Sequence, residues 1–114
     1  MPNMPNMPEE LTPTSLCARW PDERLDDVQL LDVREPEELA IASLPGSLHI
    51  PMREIPARLG QLDRDRPIVV MCHTGVRSRH VAGFLLANDF KHVYNLAGGI
   101  DAWSAEIDPT LPRY

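Results

Sequence analysis

A cysteine, a glycine, an arginine and a serine lie close together in the segment Met71–His80, which reads MCHTGVRSRH. Cysteine reacts as a thiolate, so its chemistry depends on what lowers its pKa. Cys72 follows an apolar run typical of a buried strand and precedes a pattern typical of a helix. This position puts it beside unpaired amides and the positive end of the helix dipole. Gly75 permits a turn with positive φ, in which successive amides point inward. The segment therefore predicts a nucleophilic thiolate at Cys72.

The same segment carries positive charge in an otherwise acidic chain. Between Cys72 and Asn88 there are two arginines, Arg77 and Arg79, and no acidic residue, whereas the formal net charge of the chain is -6. A local positive site would stabilise an anionic substrate or an anionic intermediate. A lone cysteine after a strand is more often a small buried hydrophobic residue, but the company of histidine, glycine and arginine in one loop favours a reactive Cys72.

Apolar runs and helix-start signals alternate along the chain. Short apolar runs predict strands at 28–33, 47–50, 68–71 and 93–96. Helices are predicted at 13–20 after the cap Thr12, from Pro36 onward, and at 55–62, 78–88 and 100–105. Strands that alternate with helices are typical of α/β folds with a parallel sheet. In such folds ligands bind at the carboxyl ends of the strands, where Cys72 is expected.

The composition of the 114 residues fits one globular domain, with 43% apolar and 25% charged residues. A net charge of -6 argues against general nucleic-acid binding. The two cysteines, Cys17 and Cys72, form no CxxC pair, which argues against a disulfide framework or a zinc site. Residues 1–10 are predicted to be a disordered Met/Pro/Asn-rich tail without signal-peptide features. No apolar run approaches the ~20 residues of a membrane span. We therefore expect a cytoplasmic protein with a single domain over residues 11–114.

Four segments, taken together and in this order, resemble the rhodanese family of sulfurtransferases in its single-domain form. They are Leu30–Glu35 (LLDVRE), Pro45–Pro51 (PGSLHIP), Ile68–Ser78 (IVVMCHTGVRS) and Val93–Trp103 (VYNLAGGIDAW). The resemblance covers roughly Leu11 to Trp103. It implies a rhodanese-like α/β fold, with a small parallel sheet of about five strands and helices on both faces.

The resemblance also implies sulfur transfer through a persulfide on Cys72. In this family a six-residue loop, here Cys72–Arg77, is associated with sulfur transfer. Related phosphatases have a loop one residue longer, because a tetrahedral phosphate needs a wider ring of amides. The Cys72 thiolate would attack the outer sulfur of thiosulfate or of a persulfide, and cyanide or a thiol would then take that sulfur. The expected partners are a small sulfur-donor anion, a thiol or cyanide acceptor and a sulfur-relay protein, without nucleic acid or membrane. No metal or organic cofactor is expected.

The implied substrate-binding residues surround Cys72. They are the remaining loop residues, whose amides would cradle the persulfide, the serine that follows the loop, and an arginine after the first confident strand: His73, Thr74, Gly75, Val76, Arg77, Ser78 and Arg34. Arg77 would hold the anionic end of the donor. Arg34 either adds positive potential near the pocket or forms a structural ion pair with Asp32. His73 either tunes Cys72 or relays a proton, or it only exposes its ring at the pocket mouth.

The sequence leaves two other functions open. Cys72 could hold sulfur only for a dedicated partner protein, which would make the chain a sulfur-carrier or binding module. The chain could instead be a Cys-dependent phosphatase or arsenate reductase, which the short loop disfavours. Cys17 either packs on its helix or resolves a persulfide as a disulfide, and translation could start at Met1, Met4 or Met7.

Overall fold

A five-stranded parallel sheet forms the centre of the protein, whose computed structural model describes residues 7–20 and 28–114. The strands are β1 (Glu9–Leu11), β2 (Gln29–Asp32), β3 (Leu48–His49), β4 (Ile68–Met71) and β5 (Val93–Leu96), in the spatial order β1-β5-β4-β2-β3. The predicted α/β class and parallel sheet are confirmed. β4 lies in the middle of the sheet and all four of its residues are buried, as expected for a parallel strand covered on both faces.

Helices cover both faces of the sheet, because successive strand residues point to opposite sides. Within the described residues the helices are α1 (Pro13–Arg19), α2 (Pro36–Ile41), α3 (Val76–Ala87) and α4 (Gly99–Glu106), and 3-10 segments lie at Met52–Glu54 and Pro56–Gln61. On one face the sheet packs on α3 through Leu31, Ile68, Val70, Val81, Ala82 and Leu85. On the other face it packs on α1 and α4 through Leu30, Val69, Met71, Leu16, Ile100 and Trp103.

Two helix starts confirm the predictions made from proline and capping residues. The side chain of Thr12 accepts a hydrogen bond of 3.0 Å from the Ser15 amide, and Pro13 opens α1. Pro36 opens α2, and the Glu38 carboxylate accepts a hydrogen bond of 3.1 Å from the Glu35 amide. Acidic side chains in the first turn also suit the helix dipole. This second start fixes Glu38 close to the carboxyl end of β2.

Several predicted boundaries are wrong. Glu9 and Glu10 belong to the predicted tail but lie in β1, because their backbone pairs with Tyr94 and Asn95 of β5 and Leu11 is buried in the core. α3 begins at Val76 rather than at residue 78. The segment predicted as a helix at 55–62 is 3-10 helix over Pro56–Gln61, and Arg58 inside it has a non-helical backbone, with a φ of -119° and a ψ of 19°. α1 ends at Arg19, one residue before the predicted end. Residues 1–6 of the predicted tail lie outside the described residues.

Candidate active site

The Cys72 loop joins the central strand to α3 and rests on the start of α4. The Ile100 amide donates to the Cys72 carbonyl oxygen at 2.9 Å, and the Asp101 amide donates to the His73 carbonyl oxygen at 3.1 Å. Gly99 has a φ of +60°, and a Cβ there would collide with both of these carbonyl groups. The strand-to-helix turn at Gly99 is therefore required for the loop to lie this close to α4.

Hydrogen-bond donors surround the sulfur of Cys72, a residue that is only 1% exposed. The Gly75 amide lies 3.0 Å from Sγ, and the Ser78 hydroxyl oxygen lies 3.3 Å from it. Gly75 caps α3 with a φ of +106°, a conformation that L side chains rarely adopt. The predicted turn at Gly75 is thus present and directs its amide at the thiol.

Burial has the largest single effect on the Cys72 thiol, and it raises the pKa. Hydrogen bonds from the Ser78 hydroxyl and from the amides of Ser78, Gly75 and Thr74 act in the opposite direction, and the net result is a pKa of Cys72 below its ordinary value. The thiolate is therefore stabilised by donors of the protein rather than by contact with water.

A buried chain of polar side chains orients Ser78. Asn95 Nδ2 donates to the Gly75 carbonyl oxygen at 3.0 Å and to the Glu10 carboxylate at 2.9 Å. These bonds leave Asn95 Oδ1 facing the Ser78 hydroxyl at 2.5 Å. A hydroxyl has one proton, so Ser78 donates either to Asn95 or to Cys72 at a given moment. The Ser78 proton can therefore turn to the sulfur when Cys72 becomes anionic.

The arginines near the loop are all paired with acids from distant parts of the chain. Arg77 forms two hydrogen bonds with the Glu38 carboxylate, at 2.7 and 2.8 Å, and Arg79 pairs with Glu10 at 3.0 Å. The expectation of a local positive site at the Cys72 loop is therefore wrong, because these acids neutralise both arginines. The acids come from α2 and β1, which the local sequence around Cys72 does not contain.

The Arg77 guanidinium has the largest effect on Glu38. Burial raises the pKa of Glu38 by a smaller amount, and hydrogen bonds from the Tyr114 hydroxyl and the Glu35 amide lower it further. The net result is a pKa of about 2 for Glu38. Glu38 in turn raises the pKa of Arg77. This pair remains doubly charged throughout the pH range in which a cysteine reacts.

Tyr114 lies against the same loop. Its ring stacks on the His73 ring, with 3.9 Å between centroids and 8° between planes. Its hydroxyl donates to Glu38 Oε2 at 2.7 Å and accepts from Arg34 Nη1 at 2.9 Å. Tyr114 thus contacts the second residue of the loop directly and its last residue, Arg77, through Glu38.

A nucleophilic loop between a central parallel strand and a helix agrees with a known family. A family model described as a rhodanese-like domain matches residues 18–106. The chain belongs to the rhodanese-like family. A sulfurtransferase of Allochromatium vinosum is 38% identical over 98 residues, which cover 86% of this chain and 90% of that relative. Relatives named as sulfurtransferases support a role in sulfur transfer.

Two further comparisons define how far the rhodanese-like domain extends. The rhodanese-like/PpiC domain-containing protein 12, chloroplastic, of Arabidopsis thaliana is 44% identical over 94 residues, 79% of this chain and 31% of that relative. The chain therefore spans about a third of that protein. The crystal structure of a rhodanese-like domain protein from Staphylococcus aureus matches with a TM-score of 0.77 and 31% identity, and covers 93% of this chain and 98% of that one.

The rhodanese-like fold brings only some of the predicted site residues to the sulfur. Gly75 and Ser78 contact Cys72 directly, and Thr74 contributes through its amide. Val76 lies at the start of α3 with its side chain 57% exposed. His73 presents its carbonyl oxygen to α4 and its ring to Tyr114.

Arg34 requires a correction, because its side chain is completely buried. Its guanidinium bonds to Asp32 at 2.7 Å, to the carbonyl oxygens of Ala42 at 2.8 Å and Glu38 at 3.3 Å, and to the Tyr114 hydroxyl. These bonds satisfy the guanidinium within the fold, so Arg34 is not available to bind a substrate. The ion-pair interpretation with Asp32 describes its position.

Three residues that contact the site are not among those predicted from the sequence, namely Glu38, Asn95 and Tyr114. Glu38 lies in the first turn of the helix that Pro36 opens, where an acid suits the helix dipole, and no local signal connects it to Arg77. Asn95 is a polar residue inside an apolar strand segment. A buried polar residue needs a hydrogen-bond partner, so its position in the strand is a sequence signal for a polar contact in the core. Tyr114 follows a segment without regular pattern, and only the folded chain brings it to His73.

Across residues 7–20 and 28–114 no three His, Cys, Asp or Glu side chains come together as a metal site would require. In the same part of the chain, no helix has the length and apolarity needed to cross a membrane.

Proposed function

We propose that this protein is a sulfurtransferase that carries sulfane sulfur as a persulfide on Cys72. The observation that carries the proposal is the set of donors around Sγ: the Gly75 amide at 3.0 Å and the Ser78 hydroxyl at 3.3 Å. These groups stabilise a thiolate, and they remain in place to bind the outer sulfur of a persulfide. A loop of six residues offers space suited to one added sulfur rather than to a phosphate.

In the first step the Cys72 thiolate attacks the outer sulfur of the donor. A sulfur–sulfur bond forms, and the sulfur–sulfur bond of the donor breaks. If the donor is thiosulfate, sulfite leaves with the electron pair; if the donor is a persulfide, a thiolate leaves. The lowered pKa of Cys72 increases the fraction of the thiol that is present as the thiolate, the form that attacks the donor.

In the second step an acceptor nucleophile attacks the outer sulfur of the Cys72 persulfide. The new bond forms to the acceptor, the sulfur–sulfur bond to Cys72 breaks, and the Cys72 thiolate is restored. Cyanide would yield thiocyanate, and a thiol would yield a new persulfide. Ser78 can donate to the returning thiolate. Both proposed steps are nucleophilic substitutions at sulfur, and the proposal includes no metal or organic cofactor.

The donor and the cellular setting belong to the proposal as well. Thiosulfate and persulfides are both candidate donors, and cyanide, small thiols or a sulfur-relay protein are candidate acceptors. Arg77 can hold the anionic end of a donor only if it shares its guanidinium with Glu38. The cytoplasmic location inferred from the sequence remains a prediction.

A sulfur-carrier role is the second candidate, favoured by the burial of the Cys72 thiol. A carrier would load readily and pass sulfur quickly only to a protein that docks on the loop. Ready loading with slow turnover by cyanide would favour the carrier. Hydrolysis of an aryl phosphate that is lost in Cys72→Ala would favour the phosphatase or arsenate reductase instead.

Intact-protein mass spectrometry after exposure to thiosulfate or to an organic persulfide tests the proposal. Wild type should gain one sulfur that cyanide removes, and Cys72→Ser should gain none. Cys17→Ser is the matched control, since it removes the other thiol and should load like wild type. Absence of sulfur loading from every donor, or loading that persists in Cys72→Ser, would overturn the proposal.

A further inference from the structure

The reactive sulfur is closed off in this structure. Cys72 is 1% exposed, although attack on a donor requires direct contact between Sγ and the donor. Tyr114 spans the loop that surrounds the sulfur, from the His73 ring to the Glu38 carboxylate that holds Arg77. Tyr114 is itself 38% exposed, so part of its side chain faces solvent while it contacts His73 and Glu38.

Several contacts hold residues 111–114, the segment that contains Tyr114, against α4. The Arg113 guanidinium pairs with Asp101 at 2.9 and 3.0 Å, and the Ser104 hydroxyl donates to the Leu111 carbonyl oxygen at 2.7 Å. Asp101 also donates its amide to the loop at His73. The segment is therefore tied to α4, directly beside the Cys72 loop.

The closed arrangement contains one unfavourable feature. His73 Nε2 is buried and has no hydrogen-bond partner among the described residues, and a buried polar atom without a partner costs free energy. Tyr114 stacks on this same ring. Withdrawal of Tyr114 would let water or a ligand hydrogen-bond to the His73 ring. The free energy gained in this way opposes the contacts that hold Tyr114 against the loop. The partly exposed contacts of Arg113 and Tyr114 are also individually weak.

We infer that Tyr114 is an access- and specificity-determining residue of this site: donors and acceptors reach Cys72 when Tyr114 leaves the His73 ring. The aromatic ring and the neighbouring Glu38 carboxylate limit the size of a reagent that passes. Selection between sulfur donors or acceptors by size rests on the proposed sulfurtransferase function. Access to the thiolate does not, because any thiol reagent measures it.

The test is the rate of alkylation of Cys72 by iodoacetamide, followed by peptide mass spectrometry. In this reaction the Cys72 thiolate attacks the methylene carbon and iodide leaves, so no sulfur transfer is needed. Rates are compared at the high-pH plateau, where the thiol is fully ionised and a changed pKa has no effect. Alkylation of Cys17 in the same sample reports on general loosening of the fold.

Tyr114→Ala should raise the Cys72 rate about ten-fold, which corresponds to about 1.4 kcal/mol of opening free energy, and should leave the Cys17 rate unchanged. Tyr114→Phe keeps the ring stack but loses the hydroxyl bonds, so a smaller increase is expected. Tyr94→Phe is the matched control, because it removes a tyrosine hydroxyl that bonds Arg19 on the other face of the sheet. The increase in Tyr114→Ala should be greater for a bulky maleimide than for iodoacetamide.

Equal Cys72 rates in wild type and Tyr114→Ala would overturn the inference, because the loop alone would then bury the sulfur. A parallel rise at Cys17 would overturn it too, since the substitution would have loosened the whole protein. His73→Ala removes the other half of the stack and provides a second variant with the same expected increase. Failure of persulfide loading in wild type contradicts only the proposed function, so the two failures are distinguishable.

Discussion

Glu38 and Arg77 form two parallel hydrogen bonds, at 2.7 and 2.8 Å, between the first turn of α2 and the last residue of the Cys72 loop. Such a bidentate pair fixes the orientation of both side chains as well as their distance. The loop is thus held from outside by a carboxylate that lies 39 residues earlier in the chain. The same carboxylate also accepts a hydrogen bond from the Tyr114 hydroxyl, so Glu38 connects the loop to Tyr114.

Substitution Glu38→Gln should destabilise the protein and slow sulfur loading. The variant loses the charge that pairs with Arg77, and we expect the free energy of unfolding to fall by about 1.5–3 kcal/mol, the usual range for a hydrogen bond to a charged group. Urea denaturation measures this change, and persulfide loading by mass spectrometry measures the effect on the loop. Glu37→Gln is the matched control, an exposed carboxylate on the same helix turn. Similar losses in the two variants would contradict a specific role for Glu38.

Acid should weaken the protein through the same carboxylate. The pKa of Glu38 in the folded protein is about 2, lower than the about 4.3 of an unfolded glutamate. The unfolded chain therefore binds this proton more tightly, and the stabilisation is fully present above about pH 4.3 and is lost as pH falls toward 2. The contribution is at most about 3 kcal/mol and is reduced by partial solvation of the pair. The difference in unfolding free energy between wild type and Glu38→Gln should shrink across this range, and a constant difference would contradict the assignment.

Much of the fold was predictable because each signal acts over a few residues. Pro13 and Pro36 open helices since the first helical amide needs no partner, and the apolar run Ile68–Met71 forms the buried central strand because it is apolar on both faces. The nucleophile is predictable in the same way. Cys72 follows that strand and precedes a helix, and the contacts of its sulfur come from Gly75 and nearby residues.

The remaining parts of the site depend on contacts between distant segments. Two arginines near Cys72 suggest positive charge, but Glu10 and Glu38 neutralise them from β1 and α2. Tyr114 reaches His73 across 41 positions of sequence (114 − 73). No local pattern specifies such pairings, because they depend on which strand ends meet at one edge of the sheet.

Ser78 should tune the reactivity of the thiol. Ser78→Ala removes the hydroxyl that lies 3.3 Å from Sγ, which contributes to the lowered pKa of Cys72. The pH profile of Cys72 alkylation should therefore move to higher pH, with the rate at neutral pH reduced and the plateau rate retained. Ser47→Ala is the control, because its hydroxyl bonds the Leu44 carbonyl oxygen away from the loop. An unshifted profile in Ser78→Ala would show that the amides alone stabilise the thiolate.

Three glycine-to-alanine substitutions separate backbone strain from collision at the loop. Gly60 has an ordinary φ and open space around it, and Gly46 has a φ of +81° and open space. Gly99 combines a φ of +60° with close carbonyl groups of Cys72 and His73. We expect Gly60→Ala to change the free energy of unfolding by less than about 0.5 kcal/mol, and Gly46→Ala to lower it by about 1 kcal/mol through strain.

Gly99→Ala should cost about 3–5 kcal/mol, since overpacking adds to the same backbone strain. The collision pushes the Cys72 and His73 carbonyl groups away from α4, so this variant should also lose sulfur loading while Gly46→Ala retains it. Urea denaturation and intact-protein mass spectrometry on the three variants supply both measurements. A loss of stability in Gly99→Ala no greater than in Gly46→Ala would mean that the loop does not depend on its close approach to α4.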